Sequence, residues 1–164
     1  MCVLAAKHIH RSIVVVSDLV PERLDAARIV GADVTVHAAK QNLVNMVRDY
    51  WSNDGVEFVI DAVGSSETKR LSLELVQPGG MVVWVGLHQD QMSLSSYALT
   101  LGQKCVSGSY SGSMQDILDA TKLLDSGILN TSWVTQYPLE HGEVGFRHML
   151  LGKGRHIKGV LDCN

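Results

Sequence analysis

Ile13-Val-Val-Val-Ser-Asp18 is a mostly β-branched run that ends in an acid, and Pro21-Glu-Arg-Leu-Asp-Ala-Ala-Arg-Ile-Val-Gly31 follows it directly. Proline near a helix start and glycine just past its end frame that second segment as a helix. The same alternation continues along the chain. Residues 33–37 read as a short strand. Residues 41–51 place Leu43, Val47 and Tyr50 on one helical face, with Val44 and Trp51 beside it. Phe58-Val-Ile-Asp-Ala-Val63 is a strand running into Gly64, and Ser65 or Ser66 can cap a helix that reaches about Val76. Pro78-Gly79-Gly80 reads as a turn, and Met81-Val-Val-Trp-Val85 is continuously apolar, as in a parallel strand covered on both faces. Strand–helix alternation at this spacing predicts a doubly wound α/β fold with a mostly parallel sheet.

The later chain repeats the pattern less sharply. Residues 105–110 form a further strand. Ser113-x-x-Asp116 resembles a capping box and opens a helix with Ile117, Leu118, Thr121 and Leu124 facing inward and Gly127 as its stop. A helix near 140–151 must carry Gly142 and Gly145, each costing about 1 kcal/mol against alanine. The last strand is 157–161.

Asp18 is the first functional candidate. An acid at the end of the second strand of a dinucleotide-binding fold accepts the adenosine ribose hydroxyls and repels a 2′-phosphate. The fold's Gly-x-Gly-x-x-Gly turn belongs roughly 20 residues upstream. Only 17 residues precede Asp18 and none is glycine. The sequence therefore reads as a Rossmann-like domain that lacks its first strand and its glycine-rich loop. Gly64 and Gly86 end two successive apolar strands, where backbone can approach a ligand closely.

Several motifs in order resemble the coenzyme domain of zinc-type, medium-chain alcohol and polyol dehydrogenases. They are Ser17-Asp-Leu-Val-Pro-Glu-Arg-Leu24, Gly31-Ala-Asp33, Asp61-Ala-Val-Gly-Ser65, Leu75-Val-Gln-Pro-Gly-Gly80, Val85-Gly-Leu87 and Gly108-Ser-Tyr-Ser-Gly112. Gly152-Lys-Gly154 with Ile157-Lys-Gly-Val-Leu161 resembles that family's C-terminus. The resemblance implies one partial nucleotide-binding domain over 1–164, with 138–164 as the family's C-terminal helix and strand. It implies NAD as cofactor, weakly held or lost, and a parent reaction that oxidises a secondary alcohol or polyol to a ketone. By the same resemblance Asp18 holds the ribose and Arg23 flanks the adenosine. Ala62, Val63 and Gly64 line the adenosine side. Gly86, Leu87 and Ser109 lie near the nicotinamide, and Lys158 reaches the pyrophosphate. The family's catalytic domain and its Cys/His/acid zinc ligands are not in these residues, so zinc is not expected and the chain alone is expected to be inactive.

Two other readings stay open. Leu-x-x-Pro-Gly-Gly before an apolar strand also occurs in S-adenosylmethionine-dependent methyltransferase-like Rossmann enzymes. A non-catalytic, dimeric interaction module would need the fold without the chemistry.

The remaining composition narrows the partners. The chain has 14 basic and 17 acidic residues, for a net charge of −3, which argues against nucleic acid. No apolar stretch approaches a membrane span, and the first residues make a poor signal peptide. Cys2, Cys105 and Cys163 are odd in number and far apart, which fits a reducing cytoplasm rather than a disulfide framework. Cys105 reads as a small buried hydrophobe. His8-x-His10 has poor spacing for a metal on a helix. In the resembling family the strand at 105–110 pairs two coenzyme domains. Here it is short, uncharged after Lys104 and free of proline, so a homodimer through that edge is expected. A missing first strand would also leave 13–17 and 58–63 without the neighbour between them.

Overall fold

The computed structural model describes residues 2–51, 53–127, 132–151 and 158–163. They fall into two compact units, one of Met1–Gln41 with Met114–Asn164 and one of Asn42–Ser113.

The first unit begins with a helix that the sequence did not reveal, α1 (Cys2–His8), whose Leu4 is fully buried. β1 (Val15–Asp18), α2 (Pro21–Ile29) and β2 (Val34–His37) follow as a parallel βαβ turn with Val15 opposite Val34 and Asp18 opposite His37. The helix boundaries match the expected punctuation. Pro21 opens α2. At its end Gly31 takes φ +105, its N–H donates to the Arg28 carbonyl, and the Ala32 N–H reaches back to Ala27. That pair of bonds is a Schellman stop, which needs a residue comfortable in the left-handed region. Leu24, Ala26 and Ala27 of α2 and Val36 of β2 are buried. Asp33 joins the pieces. Its carboxylate accepts from the Lys7 ammonium at 2.8 and 2.9 Å and from the Val14 N–H at 2.7 Å.

The rest of this unit holds two further α-helices and a second parallel strand pair. α6 (Met114–Asp125) ends before Gly127, which has φ +69. The inward face expected for it is not buried: Ile117, Leu118 and Leu124 are all exposed, and Thr121 turns its hydroxyl back to the Ile117 carbonyl. Periodicity lays an apolar stripe on a helix without choosing the surface it meets. β6 (Val134–Pro138), missed in the sequence, pairs in parallel with β7 (Lys158–Asp162), with α7 (Gly142–Leu150) between them in the chain. Gly145 is the buried residue of α7, and a Cβ there would come within 2.9–3.1 Å of the Tyr137 ring. The helix penalty expected of that glycine is offset by close packing against β6. Residues 152–157, including Ile157, lie outside the described residues.

The second unit is a three-stranded parallel sheet in the order β3 (Val56–Asp61), β4 (Val76–Trp84), β5 (Cys105–Gly108). Asn42 caps α3 (Leu43–Tyr50), accepting from the Asn45 N–H at 3.1 Å. Val44 and Val47 of α3 pack with Leu75, as the periodicity requires, while Tyr50 is exposed. Ser65 rather than Ser66 caps α4 (Ser66–Leu75), in a reciprocal box with Thr68. Leu73, Val76 and Val82 form the core under α4, with Val59, Trp84, Leu99 and Val106 around them. Each such buried aliphatic side chain contributes about 1.5–3 kcal/mol. Phe58, Ile60 and Met81 alternate onto the other side of the strands and are exposed, so the expected cover on both faces is not seen for these positions. The turn expected at 78–80 is folded into β4 as an irregularity. Gly79 has φ +76, and the register moves from Val56 opposite Val76 to Phe58 opposite Met81. α5 (Ser96–Thr100) was also not legible in the sequence. Cys105 is exposed rather than buried, because it stands opposite Met81 on the open face of the sheet, while Val106 beside it turns toward the core.

β1 pairs with β2, and β3 pairs with β4; β1 and β3 are each an outer strand of a separate sheet.

Candidate functional site

Asp18 closes β1. Its Oδ1 accepts the Val20 N–H at 2.9 Å, an Asx-type turn that sends the chain into α2. The nearest guanidinium nitrogen of Arg23 lies 3.9 Å from Oδ2, with both side chains partly exposed. A pair so long and so solvated holds little energy. One carboxylate oxygen is thus spent on the turn, and the other keeps acceptor capacity for a ligand. His37 ends the adjacent strand opposite Asp18, and its Nδ1 accepts from the Ala39 N–H at 3.3 Å. The sequence reading passed over His37, because its placement comes from the β1–β2 register.

The second unit gathers most of the candidates at the C-terminal ends of its strands. Asp61, the last residue of β3, is 5% exposed. Its Oδ1 accepts the N–H groups of Val63 and Gly64 at 2.9 and 3.0 Å, and its Oδ2 accepts the Thr68 hydroxyl at 3.0 Å. The carboxylate therefore shapes the turn that carries Ala62, Val63 and Gly64. Asp61 had no role in the sequence reading. The available signal was an acid at the last position of an apolar strand, directly before Ala-Val-Gly.

Gly64 has φ +78, and a Cβ on it would overlap the Gly86 carbonyl. A Cβ on Gly86 would overlap the backbone of Val63 and Gly64. The loops leaving β3 and β4 run on as a ladder beyond the strands. Val85 and Gly86 N–H donate to the Asp61 carbonyl at 2.9 and 3.0 Å, His88 N–H to Val63 at 3.2 Å, and Gln89 N–H to Gly64 at 3.0 Å. Leu87 is exposed on this edge. Ser109, just past β5, donates its N–H to the Trp84 carbonyl at 2.9 Å. Ala62, Val63, Gly64, Gly86, Leu87 and Ser109 thus lie together at the ends of β3, β4 and β5.

Asp18, Arg23 and Lys158 belong to the other unit. Lys158 is exposed at the first position of β7, in a different sheet from Asp18. Among the described residues no group of three or more His, Cys, Asp or Glu side chains is placed to hold a metal ion, and no helix is long and apolar enough to cross a membrane.

The model of the zinc-binding dehydrogenase family matches residues 1–126. The L-threonine 3-dehydrogenase of Yersinia pestis (strain Pestoides F) is 25% identical over 159 residues, which cover 96% of this chain and 47% of that enzyme. Among solved structures, alcohol dehydrogenase TADH from Thermus sp. ATN1 superimposes with a TM-score of 0.87 at 28% identity, over 97% of this chain and 46% of that one. Acetophenone reductase from Geotrichum candidum, solved in complex with NAD, gives a TM-score of 0.79 at 23% identity, over 97% of this chain and 43% of that one, a likeness of fold. The chain spans about half the length of the relatives it matches.

Proposed function

The chain belongs to the zinc-binding dehydrogenase family, matching the nucleotide-binding domain of its zinc-type medium-chain members, and from that premise we propose that it binds NAD(H) along its strand ends. The observation that carries the reading is the contact of Gly64 with Gly86. It leaves bare backbone at the C-terminal ends of two adjacent parallel strands, where open α/β sheets take their ligands. Asp18 fits the ribose, with one oxygen free of the turn, and Arg23 fits the adenosine. Ala62, Val63 and Gly64 would line the adenosine side, and Gly86, Leu87 and Ser109 the nicotinamide side. Lys158 would reach a phosphate. NAD, when bound, supplies a hydride acceptor for oxidation of a secondary alcohol or polyol by the whole enzyme. The chain's own residues orient that coenzyme.

The 164 residues contain no Gly-x-Gly-x-x-Gly turn, so the nest of N–H groups that normally holds the pyrophosphate is not supplied. Affinity is accordingly weak. The described side chains do not form a zinc ligand set. Without such a set the chain alone is proposed to lack dehydrogenase activity. Cys2, Cys105 and Cys163 are free and exposed, which favours a reducing, cytoplasmic setting. A homodimer through β5 is favoured by its position at the outside of its sheet.

A thermal-shift screen with NADH, NADPH and S-adenosylmethionine tests the reading. A shift largest with NADH supports it. A shift with S-adenosylmethionine alone points to methyltransferase-like chemistry, and none with any of the three points to an interaction module.

A further inference from the structure

Lys69 is the fourth residue of α4 and is only 9% exposed. A buried ammonium is costly unless its charge is answered. Among the described residues no carboxylate stands within ion-pair distance of it. Its Nζ donates instead to the Gln89 carbonyl at 2.8 Å and stands 5.7 Å from the centre of the Trp84 ring. An aromatic face within about 6 Å attracts a cation, most strongly when the pair is desolvated and the ring is tryptophan. The ring is itself held. Trp84 Nε1–H donates to the Ser72 hydroxyl at 3.1 Å, and Ser72 donates to the carbonyl of Lys69 at 2.6 Å.

The circuit closes on the loop that follows β4. Gln89 donates its N–H to the Gly64 carbonyl, and its side-chain Oε1 accepts the Ser66 N–H at the start of α4 at 2.5 Å. Ser66 donates its hydroxyl to the Gln91 carbonyl at 2.9 Å. These bonds fix one end of the loop to the helix. Lys69 adds the only charged contact in the set, and it does so from beneath. An apolar side chain could fill the same space without desolvating a charge, so the ammonium points to a task beyond packing.

We propose that Lys69 is a positioning residue: its ammonium, held between the Gln89 carbonyl and the Trp84 ring, fixes the 86–91 loop onto α4 and so sets where Gly86 and Leu87 meet the coenzyme. The proposal rests on the NAD(H) reading above for its last clause.

The test uses the full chain and Lys69→Met, which keeps the apolar stem and removes the charge. Amide hydrogen exchange is expected to quicken at least tenfold at His88 and Gln89, while Ile60 and Val83 keep their unmodified rates. The NADH dissociation constant is expected to rise at least fivefold, and Lys69→Arg is expected to restore both readouts to within about threefold of the unmodified chain. Unchanged exchange at His88 and Gln89 would overturn the proposal. So would an equal increase at Ile60 and Val83, which marks loss of the whole unit's stability, or an arginine variant that behaves like the methionine one. Faster loop exchange with unaltered NADH affinity would overturn the coenzyme clause. If the unmodified chain binds no NADH, the NAD(H) reading fails, and the exchange comparison still decides whether Lys69 fixes the loop. Lys69→Gln, also uncharged, gives the same comparison should the methionine variant not fold.

Discussion

Gly64 and Gly86 exclude side chains from each other: a Cβ added to either would overlap the other's backbone. The overlap is backbone against backbone, so no rotamer change can relieve it. Gly86→Ala should destabilise the chain by about 1–3 kcal/mol, the usual range for overpacking. Gly64→Ala should cost more, since φ +78 adds roughly 1–2 kcal/mol of its own. Urea denaturation measures both. A Gly86→Ala midpoint indistinguishable from the unmodified chain would show that the loops can part freely.

Asp61 receives two backbone N–H groups and one hydroxyl through a single buried carboxylate. Asn at this position presents an NH2 group to one set of those donors. Asp61→Asn is expected to cost about 1–3 kcal/mol, the penalty of leaving a buried donor unmet. Thr68→Val removes one donor and also half of the α4 capping box, and should cost about 1 kcal/mol. Equilibrium unfolding of the two variants gives the order, and Thr68→Val exceeding Asp61→Asn would contradict it.

The Lys7 ammonium, then the Val14 N–H, hold the Asp33 carboxyl below its ordinary value. A depressed folded-state pKa stabilises the chain above the unfolded value of about 3.9, and that contribution disappears as pH falls through the lower folded value. Side chains on both sides of the Lys7–Asp33 pair are partly exposed, so the effect is modest. Denaturation midpoints at pH 7 and pH 2.5 should differ less in Asp33→Asn than in the unmodified chain. An identical difference in the two proteins would remove Asp33 from the acid response.

If Asp18 faces the ribose, NADH binds better than NADPH, because a 2′-phosphate would meet the carboxylate. Asp18→Ala should narrow that ratio without reversing it. Isothermal titration with both nucleotides checks this, and equal affinities for the unmodified chain would argue against the ribose role.

Self-association through β5 predicts a dimer mass by light scattering at tens of micromolar, roughly the regime of modest interfaces. Ser107→Lys would bring a lysine from each copy onto the same four-residue edge, and the dimer constant should weaken at least tenfold. A monomer mass for the unmodified chain would exclude this edge as the contact.

What the sequence disclosed was mostly local. Pro21, Gly31 and Gly127 punctuate helices through their own backbone preferences, and those can be read one segment at a time. The choice of Ser65 over Ser66 as cap needed Thr68, still within one turn. The features that escaped depend on distant residues. Gly145 makes sense only against Tyr137, His37 matters only beside Asp18, and the exposure of Cys105 follows from its register with Met81 on the open face. Asp61 was visible as a residue, but its three bonds form only once the turn is made. α1 and β6 were missed because neither shows a clean period over enough residues to stand out.

Every strand pair among the described residues is parallel. No strand can therefore meet its neighbour through a tight hairpin; each waits for an intervening crossover to close. Loop closure must be met before the ladder rewards it, and this slows the search for the native state. Meanwhile β3 and β4 sit in a growing chain with their valines and isoleucine unpaired, and a second molecule can offer a partner sooner than the chain itself can. The recovery of folded protein is thus a race between first-order closure and second-order encounter, decided by dilution and temperature during synthesis more than by the stability finally reached.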